Sequence, residues 1–181
     1  MNDKLKIKTS KQKGFTLLLS LLVISIILSV SFGVFDVMTK ELKLSGIGRE
    51  SQISFYAADA GIECAYFWDI KHPDFTESVF EKTAGVNISC GGGEGIKTLY
   101  DEGIHSFSFD MGKSNDKTQK CAEVSVTKVI GKEYTCDSDK TCKDTTTTIK
   151  SRGYNYSCES KSLHKVERAI KVVSTKTEQV D

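Results

Sequence analysis

Residues 15–35 read FTLLLSLLVISIILSVSFGVF, and not one of them carries a charge. At about 1.5 Å of rise per helical residue, such a run reaches across the roughly 30 Å hydrocarbon core of a bilayer. After Thr16 its polar side chains are Ser20, Ser25, Ser29 and Ser31. Their hydroxyls can donate to carbonyls one turn earlier, so they cost little in lipid. One apolar helix near the start of the chain therefore organises everything else, and a cytosolic enzyme is a poor description of it.

The segments on either side of this run differ in charge. Residues 1–14 hold Lys4, Lys6, Lys8, Lys11 and Lys13 against Asp3, a net of +4; subtracted from the +1 of the whole chain, this leaves −3 for residues 15–181. Lys and Arg beside an apolar run are retained in the cytoplasm, which sends the rest of the chain outward. Over the 181 residues, 25 Lys+Arg balance 24 Asp+Glu, so no general polyanion-binding surface is expected and nucleic-acid binding is not indicated. All six cysteines, Cys64, Cys90, Cys121, Cys136, Cys142 and Cys158, follow the apolar run. An even number in an exported region reads as up to three disulfides, with 15 connectivities open. The paired CxxC spacing of a zinc site is missing; the closest pair is Cys136 and Cys142.

Helical character continues past the apolar run. Residues 36–70 contain no proline, Asp36 and Lys40 form a favourable i, i+4 pair, and Ile53, Tyr56, Ala57, Ala60, Cys64 and Phe67 make an apolar stripe at helical spacing. Gly46 and Gly48 weaken the middle, and His72-Pro73 is the expected stop. A helix from Phe15 to about Ile70 would be roughly 80 Å long. Beyond it, residues 104–109, 121–130, 145–156 and 165–174 alternate or are rich in β-branched and aromatic residues, as strands are. Residues 90–95 (CGGGEG), 111–120 and 131–144 are turn-rich, and the polar tail 175–181 is expected to fray. The expected fold is α+β: a long N-terminal α-helix, its apolar half transmembrane or in a filament core, packed on a small antiparallel sheet of about four strands and stapled by disulfides. The expected organisation is a basic leader (1–14), a transmembrane or assembly helix (15–37), its amphipathic continuation (38–72) and a β-rich extracytoplasmic head (73–181).

The sharpest local signal is Lys13-Gly14-Phe15-Thr16-Leu17-Leu18. A secretory signal carries its small residues after the apolar region; here glycine precedes it. With this junction and the helix behind it, the chain resembles the type IV pilin superfamily, which includes the pseudopilins of type II secretion. Residues 54–63 (SFYAADAGIE) are similar to the helix of PilX-like minor pilins, and residues 149–154 (IKSRGY) and 167–172 (ERAIKV) to their last strands. The resemblance implies cleavage between Gly14 and Phe15 by a prepilin peptidase, N-methylation of Phe15, and passage from the inner membrane through an assembly platform into a pilus or pseudopilus. Its partners would be lipid and then other pilin subunits, met through the N-terminal helix, and cell adhesion is among the roles it implies.

Leu19 departs from the family pattern, which has glutamate as the fifth mature residue, thought to pair with the terminal amine of a neighbouring subunit. A subunit without that carboxylate suits a minor or initiating position, because a buried charge left unpaired is costly. The alternative reading is a single-pass, membrane-anchored extracellular binding module that forms no filament.

Other motifs are weaker. CGGGEG lacks the GKS or GKT ending of a phosphate loop. Asp137, Asp139 and Asp144 surround Cys136 and Cys142, but their spacing is not that of an EF-hand. His72, His105 and His164 are scattered without a nucleophile or carboxylate at a telling distance. Residues 87–89 (NIS) and 155–157 (NYS) fit the glycosylation sequon. No catalytic residue, metal site or cofactor is expected.

Overall fold

The computed structural model describes residues 13–71, 78–81, 85–112, 119–137 and 140–180. The expected helix stop at His72-Pro73 lies outside the described residues. Helix α1 runs from Lys13 to Tyr66 and continues into a π-helical turn, Phe67–Lys71. The chain forms two compact units, Met1–Ile47 and Gly48–Asp181, and the boundary falls between Gly46 and Gly48.

In the first unit, the described residues are helix alone, and no side chain from Phe15 to Ile47 is buried. The helix is long and apolar enough to cross a membrane. Its serines donate to carbonyls one turn back: Ser20 to Leu17, Ser25 to Leu22 and Ser31 to Ile27, each at 2.8 Å, and Ser29 to Ser25 at 2.9 Å. Lys40 Nζ lies 2.7 Å from Asp36, in the expected i, i+4 pair.

The second unit sets the rest of α1 against antiparallel strands. A hairpin of β1 (Asn87–Cys90) and β2 (Gly93–Lys97) stands beside a five-stranded sheet in the order β3 (Leu99–Asp101), β4 (Ile104–Met111), β5 (Lys120–Asp137), β6 (Lys140–Tyr154) and β7 (Glu167–Val180). Every neighbour in this sheet is also a neighbour in sequence, as in a meander. The α+β architecture is thus the expected one, and the four expected strand regions correspond to β4 to β7.

Three local expectations are overturned. Residues 131–144 are strand on both sides of a short connection: β5 continues to Asp137, β6 begins at Lys140, and register shifts after Ile130 and Thr135 absorb the irregularity. Cross-strand pairing and the Cys136–Cys142 bridge outweigh the turn-prone composition there. The tail 175–180 is held in β7, paired with β6 as far as Thr141–Val180, because the neighbouring strand supplies the backbone partners that composition cannot reveal. In CGGGEG only Gly91 and Gly92 form the turn, at φ +60° and +85°; Gly93 to Gly95 belong to β2.

The helix also presents a different face from the one its large residues suggest. Ser54, Ala57, Ala58, Gly61, Ile62 and Ala65 are buried, whereas Tyr56 is 67% exposed and Phe67 and Phe55 face outward. The small residues win because the helix lies almost on the sheet backbone. A Cβ on Gly153 of β6 would stand 2.1 Å from the Ser54 carbonyl oxygen and 2.2 Å from the Ala58 nitrogen. A Cβ on Gly61 would meet Val124 at 2.9 Å and also the Ser151 hydroxyl. Below this seam the core fills with Ile62, Val79, Phe80, Phe107, Phe109, Val124, Val126 and Ile149.

Candidate functional site: the start of helix α1 and the stapled head

Gly14 and Phe15 lie within α1, whose described residues begin at Lys13. Leu19 is half exposed, on a helix segment where no side chain from Phe15 to Ile47 is buried. Such a surface needs lipid or other protein helices against it.

The six cysteines form three disulfides: Cys64–Cys90, Cys121–Cys158 and Cys136–Cys142, with Cα atoms 5.8, 5.2 and 5.7 Å apart. Each fixes a different joint. Cys64–Cys90 ties α1 to the β1–β2 hairpin, where the Trp68 indole also donates to the Ser89 carbonyl at 3.1 Å. Cys121–Cys158 pins the β6–β7 connection across β5. Asp110 holds the same connection, accepting from the Ser157 hydroxyl at 2.9 Å and the Cys158 amide at 3.1 Å. Cys136–Cys142 closes the distal end of the β5–β6 hairpin.

Two polar clusters clamp the ends of the helical segment in the head. At one end, Asn155 donates to Glu50 at 2.8 Å and to the His164 carbonyl at 3.1 Å, and its Oδ1 accepts from the Val166 amide at 2.7 Å. Nearby, Ser54 donates to Val166 O at 2.8 Å and Arg168 to Ser51 at 2.7 Å. Asn155 is buried and fully occupied, so the sequon there presents no free amide. At the other end, Lys128 lies 2.8 Å from Asp69 and 3.0 Å from Glu81, and Ser78 donates to Asp69. The side chains of Lys128 and Asp69 are only 10% and 4% exposed.

The remaining candidates are structural in their surroundings. Asp110, Cys121 and Cys158 come close enough to suggest a metal, but both sulfurs are consumed in a disulfide. Asp144 accepts from Tyr134 at 3.1 Å and from Thr177 at 2.7 Å, within the sheet; the side chains of Asp137 and Asp139 lie outside the described residues. His105 is buried between the rings of Phe80 and Tyr100, His164 is exposed, and His72 is not described. Burial, with Glu123 and Glu167 close by, pushes the Tyr154 hydroxyl up to about 12. That hydroxyl donates to Glu123 at 3.1 Å, and the Lys165 ammonium sits 4.2 Å from the centre of its ring.

Sequence reasoning missed the buried polar pair Lys128–Asp69 and the clamp on Asn155. Their residues are 59 and 105 positions apart, and no local pattern joins them. Searched against known proteins, the chain matches no family model, no curated protein and no solved structure at a significant level.

Proposed function

We propose that this chain is a type IV pilin-like structural subunit, of the minor or initiating kind, in a type IV pilus or a type II secretion-like filament. The observation that carries this reading is the Gly14-Phe15 junction directly before a long apolar helical run whose residues 15–47 bury no side chain. The basic segment 1–14 holds the start of the chain in the cytoplasm, and the three disulfides suit a head on the far side of the inner membrane. A prepilin peptidase cuts after Gly14, and Phe15 becomes the methylated N-terminus. The exposed helix then exchanges lipid for the helices of neighbouring subunits as the assembly platform draws it into the filament. Leu19 places the subunit where no preceding terminal amine needs a carboxylate.

The test is the mass of the N-terminal peptide of protein recovered from its native membranes. The expected peptide begins at Phe15 and carries one added methyl group. An intact Met1 end, or a cut after the apolar run, would sink this reading and leave a membrane-anchored binding module.

A further inference from the structure

On the face of the sheet turned away from α1, Ser106, Ser125, Lys150 and Lys171 stand directly opposite one another across β4, β5, β6 and β7. The adjacent row is Ser108, Glu123, Arg152 and Ala169. These positions alternate with Val124, Ile149 and Ser151, whose side chains turn toward the helix and core. Above the rows runs an open groove of about 600 Å³, walled on one side by residues 94–99.

The charge arrangement there is unfavourable for the protein alone. Lys150 and Lys171 are direct cross-strand partners on one face, a placement in which like charges destabilise a sheet, and Arg152 lies two residues along. Among the described residues, none of Lys97, Lys150, Arg152 and Lys171 has a carboxylate or other hydrogen-bond partner, and the hydroxyls of Ser106, Ser108 and Ser125 are also uncommitted. Elsewhere in the head some cations are matched: Lys128 with Asp69 and Glu81, Arg168 with Ser51, Lys165 with the Cys158 carbonyl and Lys176 with Glu178. Lys120, Lys132, Lys140, Lys143 and Lys161 stand singly, without such a partner among the described residues. Glu123, the carboxylate nearest to Arg152 in register, accepts the Tyr154 hydroxyl. Lys97, Lys150 and Arg152 line the groove beside unused hydroxyls, and Lys171 stands next to Lys150 on the neighbouring strand. The opposed lysine pair is a local rule broken without an ion pair among the described residues to offset it.

We propose that this groove binds an acidic polysaccharide of the polyuronate kind. Lys150, Arg152 and Lys171 would take its carboxylates, and the serines and Glu94 its ring hydroxyls. Leu99, 64% exposed at the groove wall, offers an apolar surface to the C–H face of a sugar. A nucleic acid fits less well. The Phe107 ring is buried in the core, so no aromatic face is offered for base stacking. The proposal rests on the head alone and does not depend on filament assembly.

The test uses the full chain in detergent micelles, titrated at low ionic strength with oligogalacturonate, neutral dextran and a single-stranded DNA of equal charge. The wild type is expected to bind oligogalacturonate and not dextran. In K150T/K171T affinity should fall about tenfold or more, while the melting temperature rises, because the opposed lysines are gone. A purely structural role for these lysines would lower the melting temperature instead. K132T/K143T removes the same charge near the distal end of the β5–β6 hairpin and should leave binding unchanged. The proposal is overturned by absence of oligogalacturonate binding, by equal affinity in K150T/K171T, by equal loss in K132T/K143T, by a lowered melting temperature in K150T/K171T, or by DNA binding as tight as the uronate.

Discussion

At the scale of single residues, the head depends on two glycines that need not be glycine for their backbone angles. Gly153 and Gly61 matter because a Cβ has nowhere to go. At Gly153 the obstructing atoms are backbone, which cannot swing aside, so Gly153→Ala should destabilise the head by about 3 kcal/mol. At Gly61 the obstruction is the Ser151 hydroxyl and a Val124 methyl, both able to give somewhat, and about 1–2 kcal/mol is expected. Denaturant midpoints of the two variants check both the size and the order. Tyr154 offers a pH signature. Its folded pKa of about 12 lies above the ordinary 10.0, so the folded state holds the proton more tightly and stability is lost as pH rises from about 10 to about 12. Between pH 9 and 12 the wild type should lose about 2 kcal/mol more than Tyr154→Phe, read from unfolding curves at each pH. Leu19 belongs to the same scale: on the proposed pilin-like reading, Leu19→Glu should alter incorporation into filaments, and unchanged incorporation would remove the argument for an initiating position.

Among the elements, the three disulfides differ in the loops they close. The Cys136–Cys142 bridge spans 6 residues, whereas Cys121–Cys158 spans 37. In the chain-entropy description, removing the first pair by double Cys→Ala substitution should cost about 2 kcal/mol and removing the second about 4 kcal/mol. Thermal unfolding of the two double variants gives the comparison, and equal losses would contradict it. The distal β5–β6 hairpin shows why its strands were hidden in sequence. Residues 131–144 are polar, charged and rich in turn formers, because this part of the sheet lies beyond the core and needs no apolar face. Strand identity there comes from pairing with β6 and β7, which no window of local sequence reports. The helix stripe held only in part, at Ala57 and Cys64, for a related reason. Its period was legible, but the buried side was chosen by the close approach that Gly61, Ala57 and Ala58 permit to β6, and the larger Tyr56 and Phe67 were left outside.

For the whole molecule, the hydrophobic core lies entirely within the unit Gly48–Asp181, together with all three disulfides. A chain beginning at Gly48 should therefore fold in water without detergent and unfold cooperatively. Circular dichroism melts of an oxidised preparation test this, and a soluble but non-cooperative product would contradict it. The buried Lys128–Asp69 pair ties the end of the helical segment to β5 inside this unit. Lys128→Met leaves Asp69 buried beside Glu81 without its cation, and a loss of about 3–5 kcal/mol is expected in the same assay.

The amino-acid sequence alone determined the features written in consecutive residues. These are the uncharged run from Phe15, the lysines before it, the serines that bond back within the helix, the alternation that became β4 to β7, and an even set of cysteines beyond the membrane-length helix. Each depends on composition or short-range spacing, where one element's physics acts by itself. Only the tertiary structure decided which cysteines pair, which face of α1 is buried, where β5, β6 and β7 end, and which lysines find an acid. Those outcomes depend on atoms brought together from positions tens of residues apart, through backbone pairing and steric fit that local pattern does not encode.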